Sequence, residues 1–339
     1  MLVSDWRGEV MAGSGTAHMR NTVDSVLTVR DLTVEFRVAK DKIVKAVSGL
    51  SFDVIRGETL AIVGESGCGK TTLARAVLQL PPPNSGEVVL DGTDLTLLPK
   101  ENLRSARTSM QMIFQDPISS LDPRMTVHQL IDEPLEIWDR GTRAERDERI
   151  NNLLNNVGLE PELVLNRRSY EFSGGQCQRI SIARALALDP RMLICDEPVS
   201  ALDVSIQAQI LNLLQDMKDR FGLTMIFISH DLAVVKAVSN RVMVMYLGKI
   251  CEVATPEALY SRPAHHYTKA LLDSVPIADP TRQRKTELLQ GEPPSPMNPP
   301  SGCRFRTRCH AATSRCADQE PQLQEVAPGQ FVACHHPIV

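Results

Sequence analysis

Between residues 26 and 54 apolar and polar residues largely alternate, in "VLTVRDLTVEF" and again in "VKAVSGLSFDV". A period of two puts successive side chains on opposite faces, so both stretches read as half-buried antiparallel strands. "TLAIVG", residues 59–64, is instead a short continuous apolar run, the pattern of a strand covered on both faces. It runs into a glycine-rich stretch and then the helical pattern "KTTLARAVLQL", which "PPPNSG" ends. Further on, "RMLICDE" and "LTMIFISH" are two more apolar runs closed by polar residues, with the amphipathic "DVSIQAQILNLLQDMKDRFG" between them. Strand, helix, strand in that order predicts a parallel sheet with crossover helices. The piece between these halves is charged and helical in pattern, clearest in "TRAERDERINNLLNNVGL", and predicts an inserted helical subdomain over about 116–175. After residue 255 the periodicity weakens. "GEPPSPMNPPSG", residues 291–302, cannot be helix or central strand and reads as a linker.

Composition changes this picture little. The chain has 339 residues, 42% of them hydrophobic, with a net charge of −4, so it can bury a core and is not a basic nucleic-acid binder. No uncharged apolar run approaches the roughly 18–20 residues that cross a bilayer. The first 26 residues have no continuous apolar stretch of the secretory type and are expected to form a mobile extension. Eight cysteines do need an account. Cys68, Cys177, Cys195 and Cys251 are scattered and suit small buried hydrophobes. Cys303, Cys309, Cys316 and Cys334 are clustered, and grouped thiols outside an oxidising compartment more often bind metal.

Three motifs carry chemistry. Gly64-Glu65-Ser66-Gly67-Cys68-Gly69-Lys70-Thr71 fits the phosphate loop G-x-x-x-x-G-K-[ST], in its required place between a strand and a helix. Its glycines let backbone N–H groups surround phosphate oxygens, the helix start at Lys70, Thr71 and Thr72 adds its positive dipole end, Lys70 reaches the β- and γ-phosphates, and the Thr71 hydroxyl suits Mg²⁺. Cys68 within the loop is either a reactive thiol at a helix start or a small tolerated side chain. "MLICDEP" ends a buried strand with Asp196, suited to hold Mg²⁺ through water, and Glu197, suited to polarise an attacking water. Ser173-Gly174-Gly175-Gln176 opens an amphipathic helix and makes a second phosphate-binding surface. One nucleotide does not need two such surfaces from one chain, whereas two copies head to tail would each lend one to the other.

This constellation resembles the nucleotide-binding subunits of ABC transporters, with Phe172 standing where their signature usually has leucine. The resemblance runs from residue 27 to about 335. By motif it implies that Gln115 senses γ-phosphate and Mg²⁺, that Ser200 to Asp203 lies at a dimer interface, that His230 contacts γ-phosphate, and that Phe36 stacks on adenine, although a strand-end core Phe fits the periodicity equally well. It implies an ABC-type α/β P-loop ATPase core at 27–255, with a mixed sheet, an antiparallel β subdomain and the helical insertion. A helical and proline-rich linker at 256–302 and a Cys-rich extension at 303–339 follow. Longer stretches, "IFQDPISSLDPRMTV", "ICDEPVSALDVSIQAQILNLL" and "HHYTKALLDSVPIADP" among them, are similar to the F-type ATPase of bacterial oligopeptide and dipeptide importers. That likeness implies a peripheral subunit on the cytoplasmic face of the inner membrane. Its implied partners are a second, related ATPase, two membrane permease subunits and an extracytoplasmic peptide-binding protein, with no nucleic acid. Similar ATPases also serve nickel, glutathione and murein-peptide import. ABC ATPases that transport nothing are the alternative class, but the stretch between Gln115 and Phe172 is too short for the coiled coil of a repair ATPase.

The terminal thiols are spaced Cys-x5-Cys-x6-Cys-x17-Cys. Zinc sites usually use Cys-x2-4-Cys pairs, and none is present. Four thiolates are the complement of a [4Fe–4S] cluster, although the spacing matches no common ferredoxin pattern. Iron–sulfur, Zn²⁺ and free thiols all stay open on spacing. The family resemblance, not the spacing, favours a [4Fe–4S] cluster separated from the ATP motifs by the 291–302 linker. Arg304, Arg306, Arg308 and Arg315 read either as a solvated basic face or as charge compensation for that cluster.

Overall fold

A computed structural model describes residues 15–20, 23–40, 42–274 and 291–338. Its strands are β1 (Ser25–Ala39), β2 (Lys42–Ile55), β3 (Thr59–Val63), β4 (Ser85–Leu90), β5 (Thr93–Asp94), β6 (Met110–Ile113), β7 (Met192–Asp196), β8 (Thr224–Ile228), β9 (Arg241–Tyr246), β10 (Lys249–Ala254), β11 (Gln324–Ala327) and β12 (Gln330–Val332). Its α-helices are α1 (Lys70–Val77), α2 (Lys100–Ala106), α3 (Val127–Ile137), α4 (Arg143–Asn156), α5 (Pro161–Val164), α6 (Gly174–Leu186), α7 (Val204–Phe221), α8 (Leu232–Val238), α9 (Pro256–Ser261), α10 (His266–Asp273) and α11 (Ser314–Asp318).

The alternating stretches form one antiparallel sheet of order β2-β1-β4-β5. The continuous apolar runs go to a second sheet, β11-β12-β10-β9-β3-β8-β7-β6. In it β9, β3, β8, β7 and β6 are parallel, and β10, β12 and β11 extend it by antiparallel pairing. Every residue of β3, β7 and β8 is buried, as their unbroken hydrophobicity requires. The parallel strands end together at Val63, Ile113, Asp196 and Ile228, so the polar residues that follow them collect along one sheet edge, where open parallel sheets bind ligands.

The helical insertion has its own apolar centre, built by Val127, Leu130 and Ile131 of α3, Ile150, Leu153 and Leu154 of α4, and Ile180 and Ala183 of α6. Its helices begin at strong local signals. Thr126, Thr142 and Ser173 each form a reciprocal capping box with the residue three positions on, Gln129, Glu145 and Gln176.

The described parts of both chain ends are joined to the core. Part of the N-terminal segment read as mobile, residues 1–14, 21 and 22, lies outside the described residues, but its described part is tied down. His18 is buried with Nε2 2.8 Å from the Ser51 carbonyl oxygen, and Arg20 donates to Asp53 and Glu58 at 2.9 and 2.5 Å. The Cys-rich tail, expected behind a linker, is built into the main sheet instead. Val332 and Phe331 of β12 pair with Glu252 and Val253 of β10. Residues 275–290 of the expected linker lie outside the described residues.

Glu252 fastens this junction. It is fully buried, and its carboxylate accepts N–H groups from Ala264 at 3.0 Å, His265 at 2.9 Å and the Gln330 side chain at 2.8 Å. Residues 264–265 and Gln330 thus converge on one carboxylate of β10, both of whose oxygens accept hydrogen bonds within the chain. Glu252→Ala would leave the Ala264 and His265 N–H groups without an acceptor and cost the Gln330 amide one of its two, an expected loss of about 3 kcal/mol. A urea unfolding curve would show this as a lower midpoint. An unchanged midpoint would mean that water replaces the carboxylate.

Candidate functional site

β3 delivers the chain into the phosphate loop, and the loop's shape depends on two glycines. Gly64 has φ +152°, and a Cβ there would lie 2.2 Å from the Met245 carbonyl oxygen. Gly69, at φ +107°, would put a Cβ 2.2 Å from the Ala46 carbonyl oxygen. Side chains are therefore excluded where the loop passes β9 and β2, and the loop stays open toward α1. The Lys70 ammonium is folded into it, donating to the carbonyl oxygens of Gly64 at 2.8 Å and Glu65 at 3.1 Å. Cys68 is buried and burial pushes its thiol pKa up, which removes the reactive-thiolate reading and leaves the small buried side chain.

Asp196 closes β7 and is buried, with Oδ1 accepting from the Thr71 hydroxyl at 2.9 Å. Burial raises its pKa, the Thr71 hydrogen bond opposes this, and the neighbouring Glu197 adds to the rise. Glu197, next along, adopts φ +47°, an unfavourable left-handed conformation for a non-glycine residue. Its backbone N–H donates to the Ile228 carbonyl oxygen at 3.0 Å, which anchors the turn on the neighbouring strand. Its Oε2 accepts from Gln115 Nε2 at 3.0 Å, and His230 Nδ1 stands 3.1 Å away. Gln115 follows β6 and His230 follows β8, so three strand ends bring these side chains together across long sequence separations.

These groups line a cleft of about 660 Å³ that includes Ser66, Gly67, Gly69, Lys70, Thr71, Thr72, Gln115, Glu197 and His230. Phe36, Val44 and Pro296 give it an apolar wall, and Phe36 is 37% exposed. The donors near Asp196 are hydroxyl, carboxylate and amide oxygens. That hard-oxygen set suits Mg²⁺, which is bound by one or two protein groups together with phosphate and water.

Comparison with known proteins agrees with this geometry. Residues 47–200 match the family model described as ABC transporter, and residues 251–316 match that of the oligopeptide/dipeptide transporter C-terminal region. A putative peptide import ATP-binding protein of Brucella ovis is 52% identical over 313 residues, covering 92% of this chain and 98% of the relative. The oligopeptide transport ATP-binding protein OppF of Haemophilus influenzae is 49% identical over 325 residues, covering 93% and 98%. The chain belongs to the ABC transporter ATP-binding proteins. Among solved structures, the ATP-binding cassette MJ0796 in its dimeric post-hydrolysis state, bound to ADP and Pi, superposes with a TM-score of 0.62. The identity is 28%, over 68% of this chain and 98% of that one. As an ABC ATPase this chain binds ATP with Mg²⁺ and hydrolyses it.

The remaining ABC motifs lie apart from the cleft. Ser173 caps α6, its hydroxyl accepting from the Gln176 N–H at 3.3 Å, while the Gln176 side chain accepts from the Ser173 N–H at 3.0 Å. Gly174 faces Leu202, and a Cβ on Gly175 would lie 2.6 Å from Ile206 Cγ2, so this segment packs closely against the turn before α7 and its first residues. Asp203 sits at the N-cap of α7 with no cap hydrogen bond from its side chain. None of Ser173, Gly174, Gly175, Gln176 and Asp203 lines the cleft formed by the phosphate loop.

The metal expectation finds no support. Cys303, Cys309, Cys316 and Cys334 are free thiols, and among the described residues no group of three or more His, Cys, Asp or Glu side chains could hold a metal ion. Burial first, then the neighbouring cysteines, push the thiols of Cys303 and Cys334 up to about 11. The segment is closely packed. The Cys303 N–H donates to the Cys316 carbonyl oxygen at 2.8 Å, Cys316 is buried, and Cys303 and Cys309 pack beside the buried Phe305.

The sequence pattern gives Tyr267, Pro296 and Arg308 no place at the site, because their contacts join residues far apart in the chain, and it gives Glu65, inside the phosphate loop, no role of its own.

Proposed function

We propose that this chain is the ATP-hydrolysing subunit that powers peptide import across a bacterial cytoplasmic membrane. The observation that carries this reading is the pairing of an ABC ATPase match with an oligopeptide/dipeptide transporter C-terminal match in one chain. Relatives about half identical, and aligned over more than nine-tenths of this chain, bear the names of peptide and oligopeptide import ATP-binding proteins. Among the described residues no helix is long and apolar enough to cross a membrane, which fits a peripheral subunit that acts on permease subunits from the cytoplasmic face.

In this reading the phosphate loop and the α1 N-terminus hold the triphosphate, with Lys70 leaving the Gly64 and Glu65 carbonyl groups for phosphate oxygens. Phe36 stacks on the base. Thr71, Asp196 and Gln115 would hold Mg²⁺, which when bound would supply positive charge beside the phosphates. Glu197 takes a proton from the attacking water, and His230 and Gln115 fix its carboxylate. Ser173, Gly174, Gly175, Gln176 and Asp203, away from this cleft, face the nucleotide of a second, related ATPase. Hydrolysis therefore requires the pair, and the pair moves two permease subunits that receive peptide from an extracytoplasmic binding protein. Reconstitution of the chain with the second ATPase and both permeases in vesicles tests this: ATP-dependent peptide uptake is expected. Hydrolysis that neither drives uptake nor responds to peptide-loaded binding protein would overturn it.

A further inference from the structure

The phosphate loop carries a puzzle. Glu65, directly after Gly64, puts a carboxylate into a loop whose task is to hold a polyanion. An unpaired acid so near the triphosphate would repel it. Glu65 is instead engaged at every polar group. Its carboxylate receives a two-pronged bond from Arg308, Nη1 to Oε2 at 2.7 Å and Nη2 to Oε1 at 3.1 Å. Its backbone N–H donates to the Tyr267 hydroxyl at 2.8 Å, and its carbonyl oxygen accepts from Lys70. Only 5% of the Arg308 side chain is exposed, so the pair is far better shielded than a surface ion pair.

Both holding residues come from the C-terminal part of the chain. Tyr267 lies on α10, and Arg308 lies in the cysteine-bearing segment. Their positions are fixed by one aromatic cluster: the Tyr267 ring is 4.7 Å from that of Tyr246 and 5.3 Å from that of Phe305, and all three are buried. The Arg308 guanidinium also lies over the Tyr246 ring. A further contact follows at the same cleft, where the Lys45 N–H donates to the Pro296 carbonyl oxygen at 3.1 Å and Pro296 lines the wall near Phe36.

We infer that the C-terminal part of the chain, from α10 onward, is a structural part of the ATP site, in which Arg308 and Tyr267 are positioning residues that turn Glu65 away from the phosphates and neutralise its charge. The extension thereby sets nucleotide affinity rather than the chemical step. It acts on the ground state and the transition state of hydrolysis alike, since the loop holds the same phosphates in both.

This inference rests on Gly64 to Thr71 being the phosphate loop, and the full-length chain tests both. Lys70→Ala checks the loop: unchanged ATP affinity in that variant would overturn the loop assignment itself. With the loop established, Arg308→Ala is expected to raise the ATP dissociation constant, and KM in the assembled transporter, about tenfold, with kcat within about twofold. Arg308→Lys keeps the charge without the fork and should recover part of the loss. The decisive variant is Arg308→Ala combined with Glu65→Gln. If the harm comes from a released carboxylate, removing its charge restores affinity to within about threefold of the parent. If Arg308 only supports the folding of the tail, the double variant binds as poorly as Arg308→Ala and the inference is overturned. It is equally overturned if Arg308→Ala binds ATP like the parent, or if kcat falls while KM stays constant. Should Arg308→Ala fail to fold, Arg308→Lys with and without Glu65→Gln gives the same comparison.

Discussion

Glu197→Gln is expected to slow ATP hydrolysis by about 10²–10⁴-fold while ATP affinity stays within about threefold of the parent. The change removes a proton acceptor and little else. Glutamine has nearly the same shape, so the left-handed turn at φ +47° and its bond to the Ile228 carbonyl persist. The amide oxygen can still accept from Gln115, and His230 keeps a polar neighbour. An amide cannot take a proton from water at neutral pH, so the lost factor should appear in kcat and not in binding. Phosphate release by the assembled transporter and nucleotide titration of the isolated chain would separate the two. If Glu197→Gln keeps more than a tenth of the parent rate, the base lies elsewhere. His230→Ala with its own loss in kcat would then point to the imidazole. If affinity falls with the rate, Glu197 acts through the loop and not on water. The position is also one where chain geometry serves chemistry: a strained backbone aims the carboxylate beyond the end of β7, toward side chains from β6 and β8.

The sequence made this half of the site readable for a definite reason. A phosphate loop needs glycines, lysine and a hydroxyl at fixed spacing, and an acidic strand end needs a buried apolar run before it. Both are local patterns, and they led to Lys70, Thr71, Asp196 and Glu197. Parallel pairing of β3, β7 and β8 followed from unbroken apolar runs separated by a helix. The antiparallel edge did not. β11 and β12 are four and three residues long and carry Gln324, Glu325 and Gln330, so they lack the apolar density that marks a strand. They pair because Glu252 and the aromatic cluster hold the tail against β10, a tertiary cause without a local trace. The same blindness explains Arg308. In sequence it is one of several arginines among cysteines and reads as a basic face or a cluster's counterion. In the folded chain it crosses to a carboxylate 243 positions away. The cysteine spacing invited a metal ligand set, yet among the described residues no group of side chains is placed to hold a metal ion, and the segment is packed by Phe305 and main-chain bonds. Charge and thiol patterns suggest chemistry, whereas the partner that decides it is chosen by the fold.

Lowering the pH from 7 to 5 is expected to cost the folded chain about 4 kcal/mol through two histidines, enough to unfold or loosen its ends while most carboxylates stay ionised. His265 is buried and burial drives its pKa down to about 3, with neighbouring His266 adding to the fall. His18 is lowered to about 4 by burial and then by Arg241, against the opposing effects of the Ser51 carbonyl and Asp53. The geometry at His265 explains the preference for the neutral ring: its Nδ1 accepts the Tyr267 N–H at 3.0 Å, which a protonated imidazole cannot do. In the unfolded chain both rings titrate near the ordinary value of about 6.5. Below that pH the unfolded state binds protons that the folded state refuses. The stabilising contribution is therefore complete above about pH 6.5 and is lost progressively as pH falls toward 4 and 3. Between 6.5 and 5 each histidine accounts for about 2 kcal/mol. His265→Asn keeps an acceptor for the Tyr267 N–H and has no proton to gain, so it should remove about half of the acid sensitivity in urea unfolding followed from pH 7 to 5. An unchanged slope in that variant would mean that His265 is solvated or already protonated in the fold. His265 caps α10, which carries the Tyr267 hydroxyl that holds the Glu65 N–H. ATP affinity should accordingly weaken on acidification before the chain as a whole unfolds, and the His265→Asn variant should keep its affinity to a lower pH than the parent.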